Sequence, residues 1–213
     1  MIRAYSQIYL EKAQTALACM LDYAVNDLHY DITSFFDLFL TSGIASLFGS
    51  GDVKTIAGRS GIELAWEILS KSGLHADCVK PDVRFDRSKE YWAGWALAYY
   101  QWSTAMPFRD IIRCVPIADI VAMYHPYHEM DIRQFCDHMS ELIRKAQPET
   151  NLKRLRLIAG LSQSQLAQVS GVPLRTIQQY EQKQKNINKA QADYIFMLAS
   201  ALNCQPAAII EYI

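Results

Sequence analysis

Near the C-terminal end of this 213-residue chain, Arg175, Thr176, Gln178 and Gln179 stand close together, with Leu174 just before them. These side chains suit the reading of base edges. An Arg fork meets guanine O6 and N7, a Gln amide meets adenine N6 and N7, and a Leu or the methyl of Thr meets the thymine methyl. The stretch QKQKN follows at 182–186, and its Lys183, Lys185 and Asn186 suit phosphate oxygens. To act together, the first group must share the outer face and N-terminal end of one helix. The pattern provides that helix over 173–181, with Ile177 and Tyr180 pointing inward.

The elements needed to hold such a helix can be read upstream and downstream. Leu152, Leu155 and Ile158 repeat at helical spacing, and Gly160 stops that helix. Ser162 is placed as an N-cap, with Gln165 three residues on as its capping-box partner. A helix over 163–170 follows, with Leu166, Ala167 and Val169 facing inward and Ala167 small enough for a close crossing. Gly171 fits a turn position with positive φ. Val172 plugs the core, and Pro173 suits the first helical turn because its missing N–H would be unpaired there. A fourth helix over 189–202 closes the core with Ile195, Leu198, Ala199 and Leu202. Pro206, Ile209 and Ile210 predict a short last helix.

The run LSQSQLAQVSGVPLRTIQQYEQ, followed by IFMLASALN, resembles the Cro/C1-type (XRE-like) helix-turn-helix family. The resemblance covers residues 151–213 and implies a five-helix lambda-repressor-like domain that binds double-stranded operator DNA. It implies that Gln163 contacts phosphate and that the base-reading positions are Leu174, Arg175 and Gln179, with Thr176 and Gln178 close by. It also implies a structural pair between Arg156 and Glu181. The sequence departs from the family at Leu174, where a polar residue is common. The family implies a dimeric bacterial repressor of transcription, or, more narrowly, an autoregulating antitoxin that holds a toxin through residues 1–146. Charge agrees with DNA: residues 149–213 carry seven Lys/Arg against four Asp/Glu, and the remainder fourteen against eighteen.

Composition sets bounds on the rest. Hydrophobic content of 51% with 20% charged residues describes a globular chain, long enough for two domains. No apolar run reaches the ~18 residues of a membrane span, and the start lacks a basic-then-apolar leader pattern. The odd number of scattered cysteines fits reduced thiols, so a cytoplasmic location is expected.

Residues 1–146 read as a helical domain for dimerisation, sensing or partner docking. One long helix is expected over 4–28. A second is expected over 31–48, apolar nearly all round and therefore central, capped by Asp31 or Thr33. Ser60 and Glu63 form a capping box for a helix ending near Gly73. In the helix beginning at Ser88, Trp92, Trp95, Tyr99 and Trp102 fall at steps of three, four and three. That stripe is either a possible partner surface or, more simply, core. Further helices are expected after Pro107 and Pro116, with a break at HPYHEM and an amphipathic helix from Met130 to Gln147. The QPET linker is short, which predicts a restricted relative orientation of the two domains. No strand pattern stands out beyond a short DVRF run, so the protein is expected to be all-α.

Two kinds of chemistry find no support. GRSG at 58–61 lacks the preceding strand and lysine of a phosphate loop. His75 with Cys78, His125 with His128, and Cys136 with His138 lie close in sequence, but zinc needs four ligands converging. No pair has the spacing of a zinc motif, so no metal and no cofactor is expected. Asp86, Glu90, His128, Glu129 and Asp131 set no nucleophile beside a base, so no enzymatic activity is expected. The competing readings are an interaction or adaptor module that does not bind DNA, and a ligand-gated sensor with a pocket near Trp92–Trp102.

Overall fold

The computed structural model describes residues 3–74, 79–82, 86–146 and 149–211. The chain divides into two compact units, Met1–Ala146 and Gln147–Ile213. Both are built from helices, and there is no strand among the described residues. His75, Cys78, Pro148 and the DVRF run beyond Asp82 lie outside the described residues.

The first unit is organised around α1 (Leu10–Asn26), which buries Ala13, Leu17, Ala18, Met20, Leu21 and Ala24. Against it pack α5 (Gly61–Lys71) and α6 (Lys89–Thr104). Both crossings depend on a missing side chain. A Cβ on Gly61 would lie 2.5 Å from the Ala16 carbonyl oxygen and from the Met20 nitrogen. A Cβ on Gly94 would lie 2.7 Å from the Leu17 carbonyl oxygen and 2.8 Å from the Ala18 Cα. These helices touch backbone to backbone, which only glycine permits. The local signals that start them are those expected: Ser60 and Glu63 complete a capping box on α5, and the Ser88 side chain accepts from the Tyr91 N–H at the start of α6.

Two expectations for this unit need correction. The helix expected over 4–28 begins at Leu10, after a short 3-10 turn at Gln7–Tyr9, and Ile8 is exposed. The preceding chain is pinned elsewhere: the Ala4 N–H donates to the Trp102 carbonyl, and Trp102 Nε1 donates to the Tyr5 carbonyl at 2.9 Å. The single central helix expected over 31–48 is two helices, α2 (Ile32–Thr41) and α3 (Ile44–Gly49), broken at Gly43 with φ +81°. They form one wall of the unit, where Phe36, Phe39 and Phe48 meet Phe108 edge to face. Asp31 caps α2. Between α3 and residue 60 the chain makes a turn of helix, α4 (Val53–Ile56), capped by Asp52.

The remaining helices of the unit are α7 (Phe108–Cys114), α8 (Ile117–Ala122), α9 (Tyr124–Tyr127) and α10 (Ile132–Ala146). Phe135, Met139 and Ile143 are buried along one side of α10. No helix among the described residues is long and apolar enough to cross a membrane.

The second unit contains α11 (Asn151–Ile158), α12 (Gln163–Ser170), α13 (Leu174–Glu181) and α14 (Ala192–Ala201). Short 3-10 turns sit at Ile187–Lys189 and Pro206–Ala208, so the expected last helix is a single turn and the fourth starts later than expected. The core is Leu152, Leu166, Val172, Ile177, Tyr180, Ile187, Ile195, Leu198 and Ile209 with their neighbours.

Val169 and Ile158, expected inside, are 63% and 73% exposed. On α12 the inward face is centred between Leu166 and Ser170, which puts Val169 well to one side at 100° per residue. On α11 the inward positions are Leu152 and Arg156, one turn apart, and Ile158 is turned away from both.

The glycine crossing gives a test with an informative sign. Alanine is the better helix former by about 1 kcal/mol, so an uncrowded Gly94→Ala protein would gain stability. With backbone in the way, the substitution should instead cost about 1–3 kcal/mol, read as a lower urea midpoint. A raised midpoint would contradict the close α1–α6 crossing.

Candidate nucleic-acid interface

Helix α13, which carries the candidate base-reading residues, starts sharply. Gly171 closes α12 with φ +73°, Val172 drops into the core, and Pro173 stands as the N-cap of α13 with φ −55°. Pro173 is therefore one position earlier than expected, outside the first turn. Its carbonyl accepts from the Thr176 and Ile177 N–H groups.

Leu174 and Arg175 then stand exposed at the N-terminal end, while Thr176, Gln178 and Gln179 are half-buried along the flank. Ile177 and Tyr180 are buried on the other side. The five candidate base-reading residues thus share one helix, and among the described residues none of their side chains makes a hydrogen bond or ion pair within the chain.

The following loop is folded back onto the helix. The Gln179 carbonyl accepts from the N–H groups of both Gln184 and Lys185, and Lys183 takes a positive φ of 57° to allow it. Lys183 and Lys185 are exposed beside the end of α13. Asn186 is also exposed, but its side-chain oxygen accepts from the Asn188 N–H and so caps the 3-10 turn at Ile187–Lys189.

Beneath the helix lies the charged pair implied by the resemblance. Arg156 is 7% exposed and Glu181 8%. Arg156 donates from Nε to Glu181 Oε1 at 2.7 Å and from Nη2 to Oε2 at 2.9 Å, a two-pronged contact. Its Nη1 donates to the Leu161 carbonyl at 2.7 Å. Its hydrogen bonds to the Glu181 carboxylate hold the guanidinium pKa above its ordinary value. Gln163 joins the same knot, with Nε2 donating to Glu181 Oε2 at 2.7 Å. The side chain assigned to phosphate is therefore engaged inside the domain. No local sequence pattern links Gln163 to Glu181, eighteen residues on.

Sequence reasoning also missed what closes the unit. The Glu211 carboxylate accepts from the Asn151 N–H at 2.6 Å, at the start of α11, where the Thr150 side chain accepts from Lys153 N–H. Asn151 Nδ2 donates to the Ile210 carbonyl, and Asn188 exchanges hydrogen bonds with the Glu211 backbone. Burial pushes the Glu211 carboxyl up, while the Asn151 N–H acts in the opposite direction. Ser170, also overlooked, is buried; it donates to the Leu166 carbonyl and accepts from the Val172 N–H, bracing the turn.

The aromatic stripe of the first unit is divided. Trp102 is buried and bonded to the Tyr5 carbonyl, with the Arg3 guanidinium 4.5 Å from its ring centre. Trp92 packs edge to face on Tyr124 and Phe135. Trp95 and Tyr99 remain half-buried. Among the described residues no three His, Cys, Asp or Glu side chains converge as metal ligands.

Residues 152–209 match the family model described as helix-turn-helix. No curated protein and no solved structure matches the chain. The second unit is a helix-turn-helix domain of the Cro/C1 type, with α12 and α13 as its two defining helices.

Removing one member of the buried pair tests its structural role. Glu181→Ala leaves the Arg156 guanidinium buried without its carboxylate, which should cost about 3–5 kcal/mol. Thermal or urea melting of the variant reads this directly. A melting curve like that of the parent protein would refute the role of the pair.

Proposed function

We propose that this protein is a sequence-specific DNA-binding repressor of transcription that acts as a dimer. The supporting observation is the uncommitted face of α13. Arg175 projects from the N-terminal end of the helix, exposed and with no hydrogen-bond or ion-pair partner among the described residues. A guanidinium held on a rigid helix without an internal partner is suited to the O6/N7 edge of guanine. Gln178, Gln179 and Thr176 flank it for neighbouring base pairs, and Leu174 offers an apolar contact for a thymine methyl. Lys183 and Lys185 lie where phosphate contacts fix register rather than sequence.

The dimer reading is supported by an apolar face on the same domain. Val169, Phe196 and Met197 are exposed and line one shallow groove between α12 and α14. An apolar patch of this kind suits a second copy of the chain, which doubles the DNA contacts of a small reader. Two reading helices about 34 Å apart would then meet half-sites one duplex turn apart. In the antitoxin form of this reading, residues 1–146 hold a toxin. The product of a neighbouring gene would then co-purify with the tagged chain. No catalytic role is assigned to either unit.

The decisive measurement is binding to DNA upstream of the protein's own gene, against random DNA, at two salt concentrations. Arg175→Ala should lose about 1–3 kcal/mol on the specific site and relax preference at one base pair. Lys185→Ala should weaken specific and random DNA alike and flatten the salt dependence by about one unit of slope. Equal losses for both variants on both DNAs would remove the division between reading and phosphate contact.

Phe196→Glu places a charge in the apolar groove. It should shift the protein to monomer in analytical ultracentrifugation and weaken operator binding, leaving the helical circular dichroism unchanged. A variant that remains dimeric would place the self-contact elsewhere.

A further inference from the structure

Gln163 opens α12 and Glu181 closes α13. Among the described residues, the bond from Gln163 Nε2 to Glu181 Oε2, at 2.7 Å, is the one side-chain hydrogen bond that joins these two helices. Gln163 is not needed to cap its own helix, because Ser162 and Gln165 already form the capping box there. Leu166 on α12 and Ile177 on α13 belong to one apolar core. Apolar contact is non-directional, so it sets no rotation by itself.

The chemistry of the amide narrows its role. Phosphate oxygens only accept, so a glutamine serves them through its N–H groups. One of these is committed to Glu181, a carboxylate 8% exposed that also accepts two bonds from Arg156. Swinging the amide out to the DNA backbone would take that donor from a buried carboxylate, which is costly. Glu181 is also a pivot. Arg175 lies about 9 Å from it along α13 at 1.5 Å per residue, so a tilt of about 10° at that end moves the Arg175 backbone by about 1.6 Å. A recognition contact tolerates roughly 0.5 Å.

We infer that Gln163 is a positioning residue for base reading: it acts on DNA through Glu181 and the set of α13, and not as a phosphate contact. This rests on the repressor reading above. Its effect falls on discrimination between sequences. A phosphate contact strengthens every sequence alike, whereas the set of α13 matters only where Arg175 and its neighbours meet the right bases.

The test measures binding of the full-length protein to two duplexes at one salt concentration, by fluorescence anisotropy. One duplex is selected by the parent protein from a randomised pool, and the other is its scramble. Gln163→Met keeps the length of the side chain and removes the donor. The position is half-buried and methionine is a good helix former, so the variant folds. Its affinity for the selected duplex should fall about tenfold, with the scramble unchanged. Gln163→Glu sets a second carboxyl against the Glu181 carboxylate, with Arg156 the neighbouring cation. The two carboxylates repel at about pH 7.5, and the neighbour raises the pKa of the introduced group, so that at about pH 5 it holds a proton and donates to Glu181 as the amide does. The ratio of the two affinities, relative to the parent protein at the same pH, should be low at about pH 7.5 and recover at about pH 5.

Equal losses of Gln163→Met on both duplexes, or no loss on either, overturn the inference. So does a Gln163→Glu ratio that stays low on acidification. A parent protein that selects no sequence overturns the repressor reading, and this inference with it. A parent that selects a sequence, beside a Gln163→Met variant that weakens on both duplexes alike, overturns this inference alone.

Discussion

A guanidinium and a carboxylate removed from water hold α13 in place. Taking two such ions into a domain is expensive, and their attraction offsets the cost only when the geometry is good and the remaining polar atoms are satisfied. Here both conditions are met. Arg156 and Glu181 meet through two parallel bonds, the third arm of the guanidinium reaches the Leu161 carbonyl, and Gln163 supplies a further donor to Glu181. The knot joins α11, the turn after it, the start of α12 and the end of α13. A hydrophobic contact at the same place would tolerate sliding; this one specifies a single position and rotation for α13. The outward residues of α13 inherit that precision, which the proposed base-edge contacts would need.

The first unit solves its packing problem by the opposite means. At its centre Gly61 and Gly94 remove side chains so that α5 and α6 lie directly on the α1 backbone. Such contact leaves little room for adjustment, and a cluster of large residues fills another part of the core. There the phenylalanines of α2 and α3 gather around Phe108.

What the sequence disclosed, and what it did not, follows from the range of each interaction. Caps act over three residues, so Asp31, Ser60, Ser88 and Ser162 were legible, as were the turn glycine Gly171 and the all-helical class. The helix-turn-helix core was legible because its apolar spacing and its turn agree. Errors arose where a face had to be chosen from few residues: Val169 and Ile158 have the right chemistry for the core but the wrong angle on short helices. The break at Gly43 was hidden because apolar residues continue on both sides of it. The engagement of Gln163 and the bond from the Asn151 N–H to the Glu211 carboxylate join positions far apart in the chain, and no spacing rule reaches them.

The last of these contacts has a consequence for how the second unit can be handled as a piece of protein. Its opening helix residue, Asn151, bonds to both Ile210 and Glu211, so the two ends of the fold meet at one point. A domain with adjoining ends can be spliced into a loop of another protein without stretching either chain. By the same geometry it can be circularly permuted, with a short bridge joining the old ends and new ends cut in the exposed 182–185 loop. The order in which the helices are connected is then separable from the surface that α13 presents.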